Sequence, residues 1–193
     1  GTEGELVAAY REHLRQYIEI VQPQLISYDH YQFRKEGDSD QYFLNLALIR
    51  QASQNAGVPF LNIVQACSWT PTVRVPVPDE MRYLVYTTLA YGAQGISYYV
   101  YSAARHTGGM VNEGGTPTPI YGAVRSLNRE FVAIAMQLQP LRSQAVYHTA
   151  LKQAGCEPLP PNATFRLERS AAQASDRGLL LGYFGTQKLT SHV

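Results

Sequence analysis

The sequence predicts an α/β fold in which parallel strands alternate with helices, followed by a small antiparallel β module. Two observations support this class. Helical and strand-like patterns alternate between residues 3 and 138, and after Pro140 prolines and polar residues replace that alternation. Strands that are separated by single helices are joined by right-handed crossovers, so we expect them to lie parallel.

The first helix is predicted over residues 3–21, where apolar side chains recur every three or four positions. Pro23 follows this pattern and ends the helix. Residues 25–28 form a short apolar run that predicts the first strand. Residues 29–40 are polar and predict a loop.

A second helix is predicted over residues 41–56. Asp40 is placed to cap its beginning, and Gly57 suits the left-handed conformation that often follows a helix. Residues 60–66 then predict the second strand. The next loop, residues 67–78, contains three prolines and the only tryptophan of the chain.

The third helix is expected to begin at Asp79 and Glu80, whose charges stabilise the positive end of a helix dipole. The third strand is predicted over residues 95–101. A glycine-rich loop, residues 102–118, leads into a fourth helix with Pro119 at its first position.

The tail predicts two further strands, residues 164–167 and 179–184, with no helix between them. We therefore expect two units, residues 1–141 and residues 142–193, of which the second is the start of an antiparallel β domain. Three parallel strands cannot close a barrel and leave two sheet edges open. We expect the chain to be part of a longer protein, in which other segments or other chains cover the sheet.

Composition excludes several classes of partner. A formal net charge of +1 without Lys/Arg-rich runs argues against a nucleic-acid partner. No apolar run approaches the roughly 20 residues that span a bilayer, so no membrane partner is expected. Cys67 and Cys156 have no neighbouring Cys or His at metal-ligand spacing, and no glycine fingerprint for phosphate is present. We predict no metal site and no cofactor.

Three stretches carry aromatic and polar residues at the ends of the predicted strands. Residues 27–31 read Ser-Tyr-Asp-His-Tyr, residues 59–69 end in Gln-Ala-Cys-Ser-Trp, and residues 98–101 read Tyr-Tyr-Val-Tyr. Because the carboxyl ends of parallel strands meet at one edge of a sheet, we expect these side chains to form one ligand-binding face.

In order, these stretches resemble the sixth, seventh and eighth strands of the clan A TIM-barrel glycoside hydrolases, in particular family forty-two, the bacterial β-galactosidases. The family patterns are Ser-Trp-Asp-Asn-Tyr, Pro-Phe-Leu-Leu-Met-Glu-Gln, and Ala-His-Gly-Ala before an aromatic strand. The resemblance covers about residues 4–141. It implies a partial (β/α)8 barrel made of the last three β/α units, and a missing half of the barrel, or other chains, to cover the sheet.

The resemblance also implies a catalytic deficit. In the family the seventh-strand glutamate is the nucleophile, and the matching residue here is Val64. The acid/base belongs to the fourth strand, which this chain does not contain. Retaining glycosidases need two carboxyl groups roughly 5 to 5.5 Å apart, so the usual mechanism is not encoded here.

Asp29 and Glu113 are the candidate catalytic carboxylates. Asp29 ends the first strand, where it can accept hydrogen bonds from sugar hydroxyls, act as a general acid or base, or cap the next loop. Glu113 lies in the glycine-rich loop with His106 and could replace the lost carboxylate. Aromatic rings pack against sugars but also fill cores. The predicted substrate-binding residues are Tyr28, Asp29, Tyr31, Gln65, Trp69, Tyr99 and Tyr101.

The leading hypothesis is a glycoside hydrolase-like protein that acts on or binds carbohydrate, with the chain itself inactive. The alternative is a catalytically silent carbohydrate-binding or scaffold protein that kept the barrel and lost the nucleophile at Val64. The expected partner is a carbohydrate ligand. The sequence leaves the compartment open, although a parent that acts on glycans would be extracellular or periplasmic.

Overall fold

A computed structural model describes residues 2–102, 105–166 and 178–186. Within these ranges the chain forms four helices: α1 (Glu3–Val21), α2 (Tyr42–Ala56), α3 (Pro78–Ala90) and α4 (Pro119–Leu138). The strands are β1 (Ile26–Asp29), β2 (Phe60–Gln65), β3 (Cys67–Ser68), β4 (Gly95–Tyr99), β5 (Thr107–Gly108), β6 (Arg142–His148) and β7 (Leu180–Gly185).

The three long strands of the first half form one parallel sheet in the order β1-β2-β4. Asp29 lies opposite Ile63 on β2, and Gln65 lies opposite Tyr99 on β4. The predicted parallel arrangement with intervening helices is therefore confirmed. Its consequence is that the last residues of β1, β2 and β4 share one edge of the sheet.

One face of this sheet packs against the helices. Tyr28 and Val64 point to this side and belong to the hydrophobic core. On the same side, the Asn62 amide donates to the Thr88 hydroxyl of α3 at 2.7 Å, and the Tyr98 hydroxyl donates to Asn128 of α4 at 2.6 Å. Because strand side chains alternate, the neighbouring residues point the other way.

The opposite face of the sheet is open in the described part of the chain. Ser27 and Asp29 of β1 and Ser97 of β4 are exposed on it, and Leu61 and Ile63 of β2 are only partly buried. A face with this mixture of apolar and polar side chains buries little apolar area by itself. The helices of this chain thus cover one side of the sheet and leave the other accessible.

The helix ends follow the predicted patterns with one correction. Thr2 and Glu5 form a capping box that begins α1. Gly57 ends α2 with a left-handed φ of 66°, as predicted. The expected Asp40 cap is wrong, because Gln41 occupies the cap position and the Asp40 carboxylate accepts a hydrogen bond from the Gln41 side chain at 3.1 Å.

The tail forms an antiparallel hairpin of β6 and β7. The predicted strand at 179–184 is confirmed as β7, but its partner is β6, which the sequence did not predict. Residues 164–166 are not in a strand, so that prediction is wrong, and Leu167 lies outside the described residues.

The hairpin packs closely against the parallel unit. His148 of β6 is buried, with Nε2 2.9 Å from the Tyr91 hydroxyl, and that hydroxyl donates to the Gly155 carbonyl at 2.8 Å. A Cβ at Gly182 would lie 2.6 Å from the Ala90 carbonyl oxygen, so the backbones approach as only glycine allows. The boundary at residue 142 stays a prediction.

Several large apolar side chains stay exposed on the helices. They include Leu6 and Ile20 of α1 and Val132 and Met136 of α4. Among the helices that the structure describes, none combines the length and the apolar character needed to cross a lipid bilayer.

Candidate functional site

The ends of the three parallel strands bring predicted site residues together. Asp29 ends β1, Gln65 ends β2 and Tyr99 ends β4. Two loops that follow these strands add Tyr31 and Trp69. This edge of the sheet is where ligands bind in folds with parallel strands, because the connecting loops gather there.

Tyr31, Trp69 and Tyr99 form a three-ring group, which we call the aromatic cluster. The ring centroids of Tyr31 and Trp69 are 4.4 Å apart with an interplanar angle of 70°. Tyr99 lies 5.3 Å from Trp69 and 5.9 Å from Tyr31. Edge-to-face packing of this kind fixes each ring while leaving part of the ring surface free, and all three residues are partly exposed.

Asp29 lies beside this cluster with an exposed side chain. Burial raises the pKa of Tyr31 well above its ordinary value, and the Asp29 carboxylate raises it further, by its charge and as a hydrogen-bond acceptor. Tyr31 therefore stays protonated and can donate to Asp29. The site combines an exposed carboxylate with an adjacent phenol.

The side-chain amide of Gln65 forms its hydrogen bonds within the protein. Its Oε1 accepts from the Phe33 N–H at 3.0 Å, and its Nε2 donates to the carbonyls of Phe33 at 3.0 Å and Arg74 at 2.8 Å. The side chain has no exposed area. The geometry assigns Gln65 to holding the two loops that carry Tyr31 and Trp69, and it leaves no amide atom for a sugar.

Tyr28 and Val64 lie away from the open face. Tyr28 is 8% exposed and its ring packs 6.1 Å from that of Phe60. Val64 is 1% exposed and, opposite Tyr98 in the register, faces the helices. The residue that matches the family nucleophile is therefore part of the core, and Tyr28 is on the side of the sheet opposite Asp29.

The remaining two candidates lie in the loop after β4. Tyr101 is 63% exposed and has no ring contact with the aromatic cluster among the described residues. Glu113 is exposed. His106, from the same loop, is closer to the site: its Nε2 lies 3.4 Å from the Tyr99 hydroxyl, and its Nδ1 is buried without a partner in the described part of the chain.

Two groups that the sequence did not assign to the site also shape it. Burial, and then the charge of Asp29, raise the pKa of the Tyr10 hydroxyl of α1. Arg74 is held by Glu80 at 2.7 Å and Asp38 at 3.2 Å, which ties together the loops after β1 and β3. Tyr10 falls on the apolar stripe of α1, so its pattern predicts only a core residue.

Metal and thiol chemistry find little support at this site. The described residues contain no group of three or more His, Cys, Asp or Glu side chains able to hold a metal ion. Cys67 is fully buried, and that burial raises the pKa of its thiol to about 11. The thiol is therefore protonated at neutral pH and unreactive.

The comparison with known families defines the class of the protein. The sequence model of the glycoside hydrolase family 42, described as β-galactosidase, matches residues 12–134, which include the whole parallel sheet and the aromatic cluster. The protein is thus glycoside hydrolase-like. Since this match covers well over half of the chain, the chain belongs to glycoside hydrolase family 42. No curated protein matches it.

Proposed function

We propose that the protein binds glycans at the aromatic cluster, with Asp29 accepting hydrogen bonds from sugar hydroxyls. The observation that carries this proposal is the meeting of three partly exposed rings and an exposed carboxylate at one edge of the sheet. Aromatic faces pack against the apolar side of a pyranose ring, and a carboxylate forms strong hydrogen bonds with neutral donors. Asp29, Tyr31, Trp69 and Tyr99 are the residues we assign to sugar binding.

In this proposal residues 1–141 are the C-terminal part of a (β/α)8 barrel, and the parallel sheet supplies its last three strands. Family membership and the open second face of the sheet support it. The missing half of the barrel, or other chains, would cover that face, and the aromatic cluster would lie at the carboxyl end of the barrel, where barrel enzymes bind substrate.

The geometry favours binding without hydrolysis in this chain. A retaining glycosidase needs two carboxyl groups on opposite sides of the glycosidic bond. None of the residues of β2 is acidic, Val64 faces the helices, and the Gln65 amide is bonded to loop backbone. Asp29 is therefore a sugar ligand in this proposal, and Glu113 has no assigned role.

The test uses Trp69, which is the only tryptophan of the chain and lies in the cluster. Its fluorescence should change in a saturable way as galactosides and β-galactan oligosaccharides are added. Asp29→Asn should weaken binding about tenfold, the loss expected for one charged hydrogen bond. Tyr101→Ala serves as the matched aromatic control and should bind like the wild type.

The same protein should release no nitrophenol from aryl β-galactosides. Hydrolysis that disappears in Asp29→Asn or Glu113→Gln would contradict the proposal of binding alone and support an enzyme that uses those carboxylates. Absence of a saturable fluorescence change with every sugar would contradict the glycan site itself.

A further inference from the structure

A cavity lies at the end of the parallel sheet opposite the aromatic cluster. It has a volume of about 710 Å³ and is bordered by Phe60 at the beginning of β2, by Gln94 before β4, and by the hairpin. Gln65 and the aromatic cluster are at the opposite end of the same strands. The cavity is therefore separate from the proposed glycan site, and its volume is within the range of small-molecule sites.

The lining of this cavity is cationic and rich in hydrogen-bond donors. Arg50 of α2 and Arg142 of β6 both border it, and no acidic side chain of the described chain does. The amide side chains of Gln54, Gln94 and Gln144 and several hydroxyl side chains are also part of the lining. A cavity with two guanidinium groups and no carboxylate selects for a negative charge.

The hydrogen bonding of the Arg50 guanidinium is incomplete. Its Nε donates to the Ser143 hydroxyl at 3.2 Å, but its Nη2 is buried with no hydrogen-bond partner in the described part of the chain. Burial lowers the pKa of Arg50, although the charge of the exposed Glu157 acts in the other direction. Because no acidic side chain of the described chain borders the cavity, an anion beside this guanidinium would be stabilising.

We propose that this cavity binds a small molecule through an oxyanion, a phosphate or a carboxylate, which the Arg50 guanidinium holds. The Arg50 guanidinium keeps N–H groups that its hydrogen bond to Ser143 does not use, and N–H groups of this kind suit the oxygens of such an anion. Arg142 adds a second charge, and the surrounding amides can hydrogen-bond the polar remainder of the molecule. This site does not depend on the proposed glycan binding.

Binding at this position would also join two parts of the fold. Arg50 belongs to α2, whereas Ser143 and Arg142 belong to the hairpin. An anion held between them stabilises the docked hairpin, since a ligand that binds only the folded state shifts the unfolding equilibrium. Thermal unfolding is therefore a direct readout of occupancy.

The experiment titrates the whole chain with inorganic phosphate and, separately, with malonate, against sodium chloride of equal ionic strength. Each titration is followed by calorimetry and by the midpoint of thermal unfolding. We expect saturable binding and a rise in the midpoint with at least one oxyanion, but not with chloride. The oxyanion that binds more tightly, phosphate or malonate, shows whether the natural ligand carries a phosphate or a carboxylate.

Variants connect this binding to the cavity. Arg50→Lys keeps the charge but loses the fork of N–H groups, and it should weaken binding at least tenfold. Arg142→Gln, at an exposed position, should weaken binding severalfold without affecting folding. Arg125→Lys, exposed on α4, is the matched control and should bind like the wild type.

Two results would overturn the proposal. The first is an oxyanion effect no larger than that of chloride. The second is an affinity that both Arg142→Gln and Arg50→Lys leave unchanged. Trp69 fluorescence should stay constant during the titration, which distinguishes this cavity from the glycan site.

Discussion

Gln65 shows how one buried side chain organises a surface site. Its primary amide meets both the N–H and the carbonyl of Phe33, as the peptide group of a neighbouring strand would. A third hydrogen bond reaches the Arg74 carbonyl. The loops that carry Tyr31 and Trp69 are therefore held by Gln65, which is itself fully buried.

Replacing this amide should loosen both loops. Gln65→Leu keeps the volume roughly constant but leaves the Phe33 N–H and the Arg74 carbonyl without their partner, whereas the Phe33 carbonyl still accepts from the Arg74 N–H at 3.2 Å. The free energy of unfolding should therefore fall by about 2 to 3 kcal/mol. Urea denaturation measures this change, and Trp69 emission of the folded variant should shift to the red. Gln137→Leu, at an exposed position of α4, is the control and should change stability by less than about 0.5 kcal/mol.

The sequence was informative about single residues where the chain alternates regularly. Strand alternation correctly separates Tyr98, which bonds to α4, from Tyr99, which joins the aromatic cluster. The same reasoning did not predict that Tyr28 lies on the side of the sheet that the helices cover. A short strand shows too few residues for the buried side to be recognised, and only the register with Phe60 and Asn62 settles it.

At the level of elements, the hairpin is held by backbone contacts that tolerate no side chain. A Cβ at Gly182 would meet the Ala90 carbonyl oxygen at 2.6 Å, and one at Gly92 would meet the Ser143 Cβ at 2.5 Å. The Ala90 carbonyl oxygen is a backbone atom and the Ser143 Cβ is attached directly to the backbone, so neither can move aside as the far end of a flexible side chain does. The close approach of β7 to the end of α3 thus requires a residue without a Cβ at position 182.

Gly182→Ala should therefore lower the free energy of unfolding by about 1 to 3 kcal/mol, the usual effect of overpacking. Gly122→Ala is the matched control, because its Cβ would meet nothing within 4 Å and it lies inside α4. It should raise stability by roughly 0.5 to 1 kcal/mol through helix propensity. Equal effects of the two substitutions, measured by urea denaturation, would refute this account of the hairpin contact.

The four helices were predictable to within one or two residues because apolar residues repeat over several turns. Strand β6 was not, since it begins Arg-Ser-Gln and its partner β7 follows more than 30 residues later. Its last residue, His148, is buried by packing on Tyr91 and Phe43, which are far from it in the sequence. Tertiary contact, rather than local propensity, defines this strand.

For the whole molecule, one buried and one partly buried histidine connect stability to pH. Burial lowers the pKa of His148, and burial followed by the Arg34 charge lowers that of His30, with Asp29 opposing. Both pKa values are below that of an unfolded histidine, about 6.5. The unfolded chain therefore binds more protons, and stability rises with pH in the range just below this value.

We expect the free energy of unfolding contributed by these groups to be fully present above pH ~6.5 and to decline as the pH falls toward 5. Urea denaturation between these limits measures the slope. His148→Gln can still donate to the Tyr91 oxygen and should flatten the curve, whereas His13→Gln, exposed on α1, should not. A slope that survives in His148→Gln unchanged would exclude His148 as its source.

At this scale the sequence was sufficient for the parallel order of the sheet and for the meeting of its strand ends. It was insufficient for the cavity with Arg50, because that cavity exists only between α2 and a hairpin about 90 residues away in the chain. Pattern reasoning reports neighbours within an element or between consecutive elements. Contacts of this separation depend on how the completed elements pack.

The pleat of β2 has a consequence for how this protein could change over time. The resemblance pairs Val64 with the family nucleophile, yet its side chain enters the core beside Tyr98. A single substitution to glutamate there would bury a carboxylate among apolar groups, which raises its pKa and costs several kcal/mol. Val64→Glu is therefore expected to lower the stability of the fold, because the new carboxylate would stay on the helix-covered side of the sheet.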